Sequence, residues 1–209
     1  LKVSFVDGLY DGLSAAAKRF GVQIVGGDTN QSDRLVLSVA LLGDAAKGKA
    51  VRRSGARKGD VVFVTGSLGG SYLSKRHLRF EPRIKESQFL ARNFNLHSMI
   101  DLSDGLASDI TRIAEESGVG ARISREAIPV SKGVSVKSAI SEGEDFELLF
   151  TLSAREAARL ALHPKVRGLA PFHRIGRIVD KREGIRLVHA NGRLEPLLAS
   201  GFDHFSRHR

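Results

Sequence analysis

The chain has 209 residues, 42% of them hydrophobic, no cysteine and a formal charge of +10. That suits one domain or a domain and a half with a real core. It leaves no disulfide or thiolate metal site, points to a reducing, cytoplasmic setting, and holds no apolar run near the ~20 residues that cross a bilayer. Lys and Arg number 33 against 23 Asp and Glu, a balance that favours anionic ligands. The basic residues are scattered, however, and no aromatic residues interleave with them to stack bases. The expectation is a solvated basic surface and phosphorylated small ligands, with nucleic acid disfavoured.

In chain order, apolar residues at Val6, Leu9, Tyr10, Leu13, Ala16, Ala17 and Phe20 have helix spacing. Gly21 follows as a stop signal. Val22–Val25 and Leu35–Leu42 read as strands. "RKGD" at 57–60 reads as a turn, and "VVFVTG" after it as a fully apolar strand. "SLGGSYLSKRHL" reads as a loop running into a helix, and Glu86–Phe94 as a helix. "MIDLSDGLASDITRIAEESG" reads as a brief strand, a polar turn and a helix that ends at Gly118. "GARI" and "DFELLFTL" are predicted strands and Ala154–Leu162 a helix. "FHRIGRIV" and "GIRLVHANGRL" are predicted to close the chain as a hairpin or strand pair, with Asn191-Gly192 a turn. The alternation gives an α+β or α/β class. The best boundary falls near residues 55–59, which leaves a first part, 1–57, too small to hold a core alone. The chain opens at Leu1 in mid-pattern, so an incomplete N-terminus is expected.

Four stretches carry possible chemistry. In "VGGDT", Gly26 and Gly27 allow close backbone approach and Asp28 offers a hard oxygen for magnesium; an ordinary Gly-Gly-Asp turn fits equally well. "DLSDGLASD", Asp101 to Asp109, places three carboxylates around a helix N-terminus, where unpaired N–H groups and the dipole attract phosphate. Asp101 is suited to magnesium and Ser103 to a phosphate oxygen. The alternative is a helix capped by Ser103 or Asp104. Asp109 is expected to face solvent. "EGEDFELLF" packs four acids before a strand, and either faces one to a ligand or forms a solvated edge. "TGSLGGS" lacks the lysine and spacing of a phosphate-binding loop and reads as a close-packing turn. No histidine pair has metal-ligand spacing, and no nucleophile elbow is present.

The order "VGGDT", "RSGARKGD", "VTGSLGGS", "MIDLSDGLASD", "GEDFELLF" and a terminal "GFDHF" resembles the thiamine-monophosphate kinase family, of the aminoimidazole-ribonucleotide-synthetase-like superfamily. The resemblance covers nearly the whole chain. It implies the remnant of an N-terminal α+β domain that binds ATP and dimerises, residues 1–57, followed by a C-terminal α+β domain, residues 58–209. It implies ATP-dependent phosphorylation of thiamine phosphate to thiamine diphosphate, with Mg2+, in a homodimer. It implies ATP contacts at Gly27, Asp28, Arg53 and Ser103. It implies magnesium on Asp28 and Asp101, and thiamine phosphate beside Asp104, Glu144 and Phe202. A carboxylate and an aromatic face suit a cationic thiazolium.

The chain departs from the family at several points. "GDDAA"-like and "NLSDxAAMG"-like acidic stretches, which supply further magnesium ligands, are absent, so impaired activity is expected of this chain. "TNQSD" replaces the usual "TTRS", and "SEGED" the usual double glycine before the acid. Other expectations are a different ATP-using enzyme of the superfamily, such as a selenophosphate synthetase, or a basic anion- or nucleic-acid-binding module.

Overall fold

The computed structural model describes residues 1–163 and 168–198; Phe202 and the rest of "GFDHF" lie outside the described residues. The chain packs as two compact units, Leu1–Asp44 and Ala45–Arg209.

In the first unit, α1 spans Val3–Phe20, three residues earlier than the apolar spacing predicts. Gly21 ends it in the left-handed conformation, φ 67°, and its N–H caps carbonyls of the last turn. Val22–Val25 and Leu35–Leu42 form no strand. An extended segment becomes a strand only through a ladder partner, and among the described residues neither segment finds one. Their side chains stay in water: Val25, Val36, Leu41 and Leu42 are 75–96% exposed.

The second unit is α+β, a seven-stranded sheet with helices on it. In chain order it contains β1 (Val61–Thr65), α2 (Ile84–Asn93), β2 (Leu96–Asp101), α3 (Leu106–Ser117), β3 (Gly120–Ser124) and α4 (Val136–Ser141). There follow β4 (Leu148–Leu152), α5 (Ala154–Leu162), β5 (Phe172–Val179), β6 (Ile185–Val188) and β7 (Leu194–Pro196). The sheet order is β2-β4-β1-β5-β3-β6-β7. All pairs are antiparallel except β3 with β6.

β6 and β7 form a hairpin around the predicted Asn191-Gly192 turn, where Gly192 has φ 80°, but the predicted pairing of "FHRIGRIV" with "GIRLVHANGRL" is absent. β5 and β6 do not pair, because β3 lies between them. β4 begins at Leu148, later than "DFELLFTL" suggests, because Asp145 and Glu147 are turned inward as hydrogen-bond acceptors.

The strands have two apolar faces, as their near-continuous runs require. On one face Val62, Val64, Leu149, Ile175 and Ile178 pack with Leu106, Ile110 and Ile113 of α3 and Ala139 of α4. On the other, Val61, Phe63, Phe150 and Leu152 pack with Leu90 of α2 and Ala157 and Leu160 of α5. β5 carries one extra residue, since Val62 faces Gly176 and Phe63 faces Arg174. This bulge places Ile175 and Ile178 on the α3 face and Arg174 and Arg177 on the other. Residues 52–56 run along this unit: the Arg52 carbonyl accepts from Met99 N, and Gly55 N and Ala56 N donate to Ser117 Oγ.

The apolar run Leu35–Leu42, exposed and without ladder partners, is the expected site of self-association. L37K/L41K should shift the protein toward monomer in concentration-dependent size exclusion; an unchanged profile would assign association elsewhere.

Candidate functional site

β2 ends at Asp101, which is exposed. The chain turns through Leu102, Ser103 and Asp104 to Gly105, with φ 99°, and enters α3. Gly105 holds that conformation against the end of α4: a Cβ there would lie 2.9 Å from the Glu142 carbonyl oxygen. Neither Ser103 nor Asp104 caps α3; the N-cap is Gly105, without a side-chain bond.

A second strand of chain lies against this turn. Leu102 N donates to Glu147 O at 2.7 Å, Phe146 N to Leu102 O at 2.8 Å, and Glu144 N to Ser103 O at 2.8 Å. A Cβ on Gly143 would overlap the Ser103 carbonyl oxygen, so only glycine lets the two segments approach so closely. "DLSD" and "GEDFE" are thus one structure. Glu144 and Phe146 have φ of 65° and 51°, a left-handed conformation that costs about 1–2 kcal/mol for an ordinary side chain. The bonds to Ser103 and Leu102 hold them in it.

The acids of this loop divide by direction. Glu142 accepts from Gly70 N at 2.9 Å, and Asp145 from Gly69 N at 2.8 Å and Arg76 Nη2 at 2.5 Å. Glu147 accepts from Thr65 Oγ1 at 2.6 Å and takes the fork of Arg83, Nε at 2.7 Å and Nη2 at 2.6 Å. Glu144 alone of the four is exposed and faces solvent. Because Gly69 N and Gly70 N are occupied by carboxylates, the "TGSLGGS" loop is the close-packing turn expected. A Cβ at Gly69 would come within 2.9 Å of the Ala139 backbone.

Asp109 is a correction. It is fully buried, not solvent-facing, on the same side of α3 as Leu106, Ile110 and Ile113. It accepts from Asp104 N at 3.2 Å and from Arg112 Nη1 at 2.9 Å. Arg112 also pairs with the Asp104 carboxylate. Burial raises the Asp109 carboxyl to about 6, against the Asp104 amide and Arg112, which lower it. Burial likewise raises Asp145 to about 6, opposed by the Gly69 amide and Arg76. The sequence signal for Asp109 is its spacing of three and one from Leu106 and Ile110.

Arg53 does not join the turn. It lies 3.6 Å from Glu116, at the C-terminal end of α3, about 15 Å along the helix from Leu106, where the turn enters it, at 1.5 Å per residue. Asp28 belongs to the first unit. It is exposed and accepts from Thr29 N and Asn30 Nδ2, each at 2.9 Å. Gly27 has only the Tyr10 hydroxyl near the position of a Cβ, at 3.8 Å.

Among the described residues, no three His, Cys, Asp or Glu side chains converge on a metal-sized point. One donor here is of a kind that magnesium accepts. Mg2+ takes one or two carboxylates and completes its shell with water and phosphate oxygens, and Asp101 is an exposed carboxylate at the mouth of β2.

Two outcomes follow from this geometry. G143A should cost about 1–3 kcal/mol in urea denaturation, since the Glu144–Ser103 bond must break. Raised carboxyls at Asp109 and Asp145 favour the protonated fold, so their contribution to stability is complete below about pH 4 and lost as pH rises through about 6. D109N, neutral throughout, should therefore gain on the parent by about 1–3 kcal/mol between pH 4 and 7, read by urea melts across that range.

Two family profiles match the chain: "AIR synthase related protein, N-terminal domain" over residues 1–45 and "AIR synthase related protein, C-terminal domain" over residues 57–189. The thiamine-monophosphate kinase of Rhodopirellula baltica is 36% identical over 207 residues, 94% of this chain and 63% of that protein. The Escherichia coli K12 enzyme of the same name is 36% identical over 97% of this chain and 68% of that protein. The chain thus spans about two thirds of the length of the curated relatives it matches. Among solved structures, AaThiL complexed with AMPPCP and TMP superposes with a TM-score of 0.74 at 26% identity, over 98% of this chain and 70% of that one. Hydrogenase maturation protein HypE in complex with ATP shares the fold, TM-score 0.70 at 22% identity over 98% of this chain and 70% of that one.

Proposed function

Because the chain belongs to the thiamine-monophosphate kinase family, we propose that it takes part in the ATP-dependent phosphorylation of thiamine phosphate, in the cytoplasm and as a homodimer. The observation that carries the reading is the backbone pairing of Ser103 with Glu144. It sets Ser103 against the exposed Glu144, two residues past Asp101 where β2 ends. A phosphate-bearing nucleotide and a cationic ring need such neighbours.

In this reading Ser103 contacts an ATP phosphate, Gly27 and Asp28 are further candidate ATP contacts, and Arg53, at the far end of α3, is assigned none. Asp104, Glu144 and Phe202 hold thiamine phosphate; Asp101 would hold Mg2+, and Asp28 is a separate candidate ligand. Bound Mg2+ supplies charge neutralisation on the transferring phosphoryl group. A phosphate oxygen of thiamine phosphate forms a bond to the γ-phosphorus as the bond to ADP breaks, giving thiamine diphosphate and ADP. That oxygen is already anionic, so no general base is needed. The chain's own work is positioning: Ser103 Oγ donates to a phosphate oxygen, and Glu144 faces the ring charge. The bound complex of AaThiL with AMPPCP and TMP supports the same pair of ligands here.

The test is release of ADP from MgATP with and without thiamine phosphate. Release should depend on thiamine phosphate and stop with a chelator. D101N should lower kcat by about tenfold or more. E144Q should raise KM for thiamine phosphate by about tenfold and leave KM for ATP unchanged. Absence of both thiamine-phosphate-dependent ADP release and measurable thiamine phosphate binding by calorimetry would overturn the reading.

A further inference from the structure

On the sheet face that carries α2 and α5, the helices cover β1, β2 and β4. Farther along the same face, β5, β3 and β6 bring arginines together. Arg177 of β5 stands directly opposite Arg122 of β3, and Arg122 is in register with Arg186 of β6. The bulge in β5 adds Arg174, which shares its face with Phe63. Like charges directly opposed across strands destabilise a sheet, and three abreast, about 4.8 Å apart per strand, go against that rule. Sequences break such local rules chiefly at functional sites.

Little offsets the repulsion. Glu183 pairs with Arg122, while Arg174 and Arg177 are exposed and have no acidic partner among the described residues. Arg122 Nε is buried without a hydrogen-bond partner.

The arginines border a trough. A groove of about 440 Å³ is lined by Arg122, Arg174 and Arg177 with Ala127 and Val188. A second of about 290 Å³ is lined by Arg122, Glu183, Arg186 and Leu194. Sharing Arg122, the two run on from β5 to β7. The walls are aliphatic and arginine stems, and the rim carries four guanidinium groups against the single carboxylate of Glu183.

We propose that this trough is a docking surface for single-stranded nucleic acid. Its length across four strands suits an extended polyanion better than an enclosed small ligand. Arginine forks match phosphate oxygens two at a time, and guanidinium planes stack on bases without regard to sequence. Arg122, Arg174, Arg177 and Arg186 are scattered over 65 positions of sequence, and the strand register alone makes them one site. The surface is independent of the kinase reading, since it uses none of Asp101, Ser103, Asp104 or Glu144.

The test is fluorescence anisotropy with a short labelled single-stranded oligoribonucleotide of mixed sequence, in excess MgATP to occupy any nucleotide site. Neutralising three or four phosphates gives a slope of log K against log salt of about −2 to −3 between about 50 and 200 mM, and R174A/R177A should flatten it by about 1.4. K132A/K137A, which removes the same charge elsewhere, should leave the slope unchanged, and thermal melts should show both variants folded. The proposal is overturned if the parent does not bind at low salt, or if K132A/K137A flattens the slope as much. It is equally overturned if an acidic peptide or free AMP binds through Arg174 and Arg177 while the oligonucleotide does not.

Discussion

A carboxylate taken out of water must have its charge answered where it lies, and Glu147 is the place where this fold meets that demand. Its two oxygens take the Arg83 fork and the Thr65 hydroxyl. Thr65 in turn accepts from Leu148 N at 2.8 Å. The end of β1, the N-terminus of α2 and the start of β4 are therefore fixed on one charged group. Gly66 has to be glycine because a Cβ would overlap that carboxylate. The main-chain oxygen of the same residue receives Leu102 N, so the buried charge and the "DLSD" turn depend on one residue. Removing either side of such a buried pair leaves the other uncompensated, a loss of about 3–5 kcal/mol.

The strained backbone at Glu144 and Phe146 belongs to the same arrangement. Two left-handed residues flank Asp145, whose side chain is drawn inward by Gly69 and Arg76. The inward pull on Asp145 and the outward placement of Glu144 are two sides of a single kink. The Phe146 ring stacks on Phe80 with centroids 4.1 Å apart, which anchors the far end of the kink. Strain held by surrounding bonds in this way is typical of residues that present a group to a ligand.

Most elements of the second unit were legible in the sequence because apolar period and stop residues agree there. Ala154–Leu162 is a helix over the predicted span, and Gly118 ends α3 with φ 66°. What was not legible depended on partners distant in sequence. Val22–Val25 and Leu35–Leu42 have strand composition, but a strand is a pairing and not a composition. α4, six residues long, is too short to show a period. In the site, the motifs themselves were visible as strings. Their contact was not, because it depends on three backbone hydrogen bonds and a missing Cβ at Gly143. Asp109 was misjudged because an acid one turn into a helix is ordinarily solvated; here the Asp104 amide and Arg112 await it inside.

The extra residue in β5 acts as a parity shift. In a regular strand, positions three apart point to opposite sides, yet Arg174 and Arg177 share one side and Ile175 and Ile178 the other. Gly176, where a Cβ would overlap the Arg122 carbonyl oxygen, permits the shift. Loss of one residue here would delete no charge. It would swap the sides of everything beyond it, sending arginine into the interior and isoleucine into water. This strand can therefore drift by substitution among like residues, but its length is frozen, and lineages that keep the fold should keep the count between Val62's partner and Phe63's.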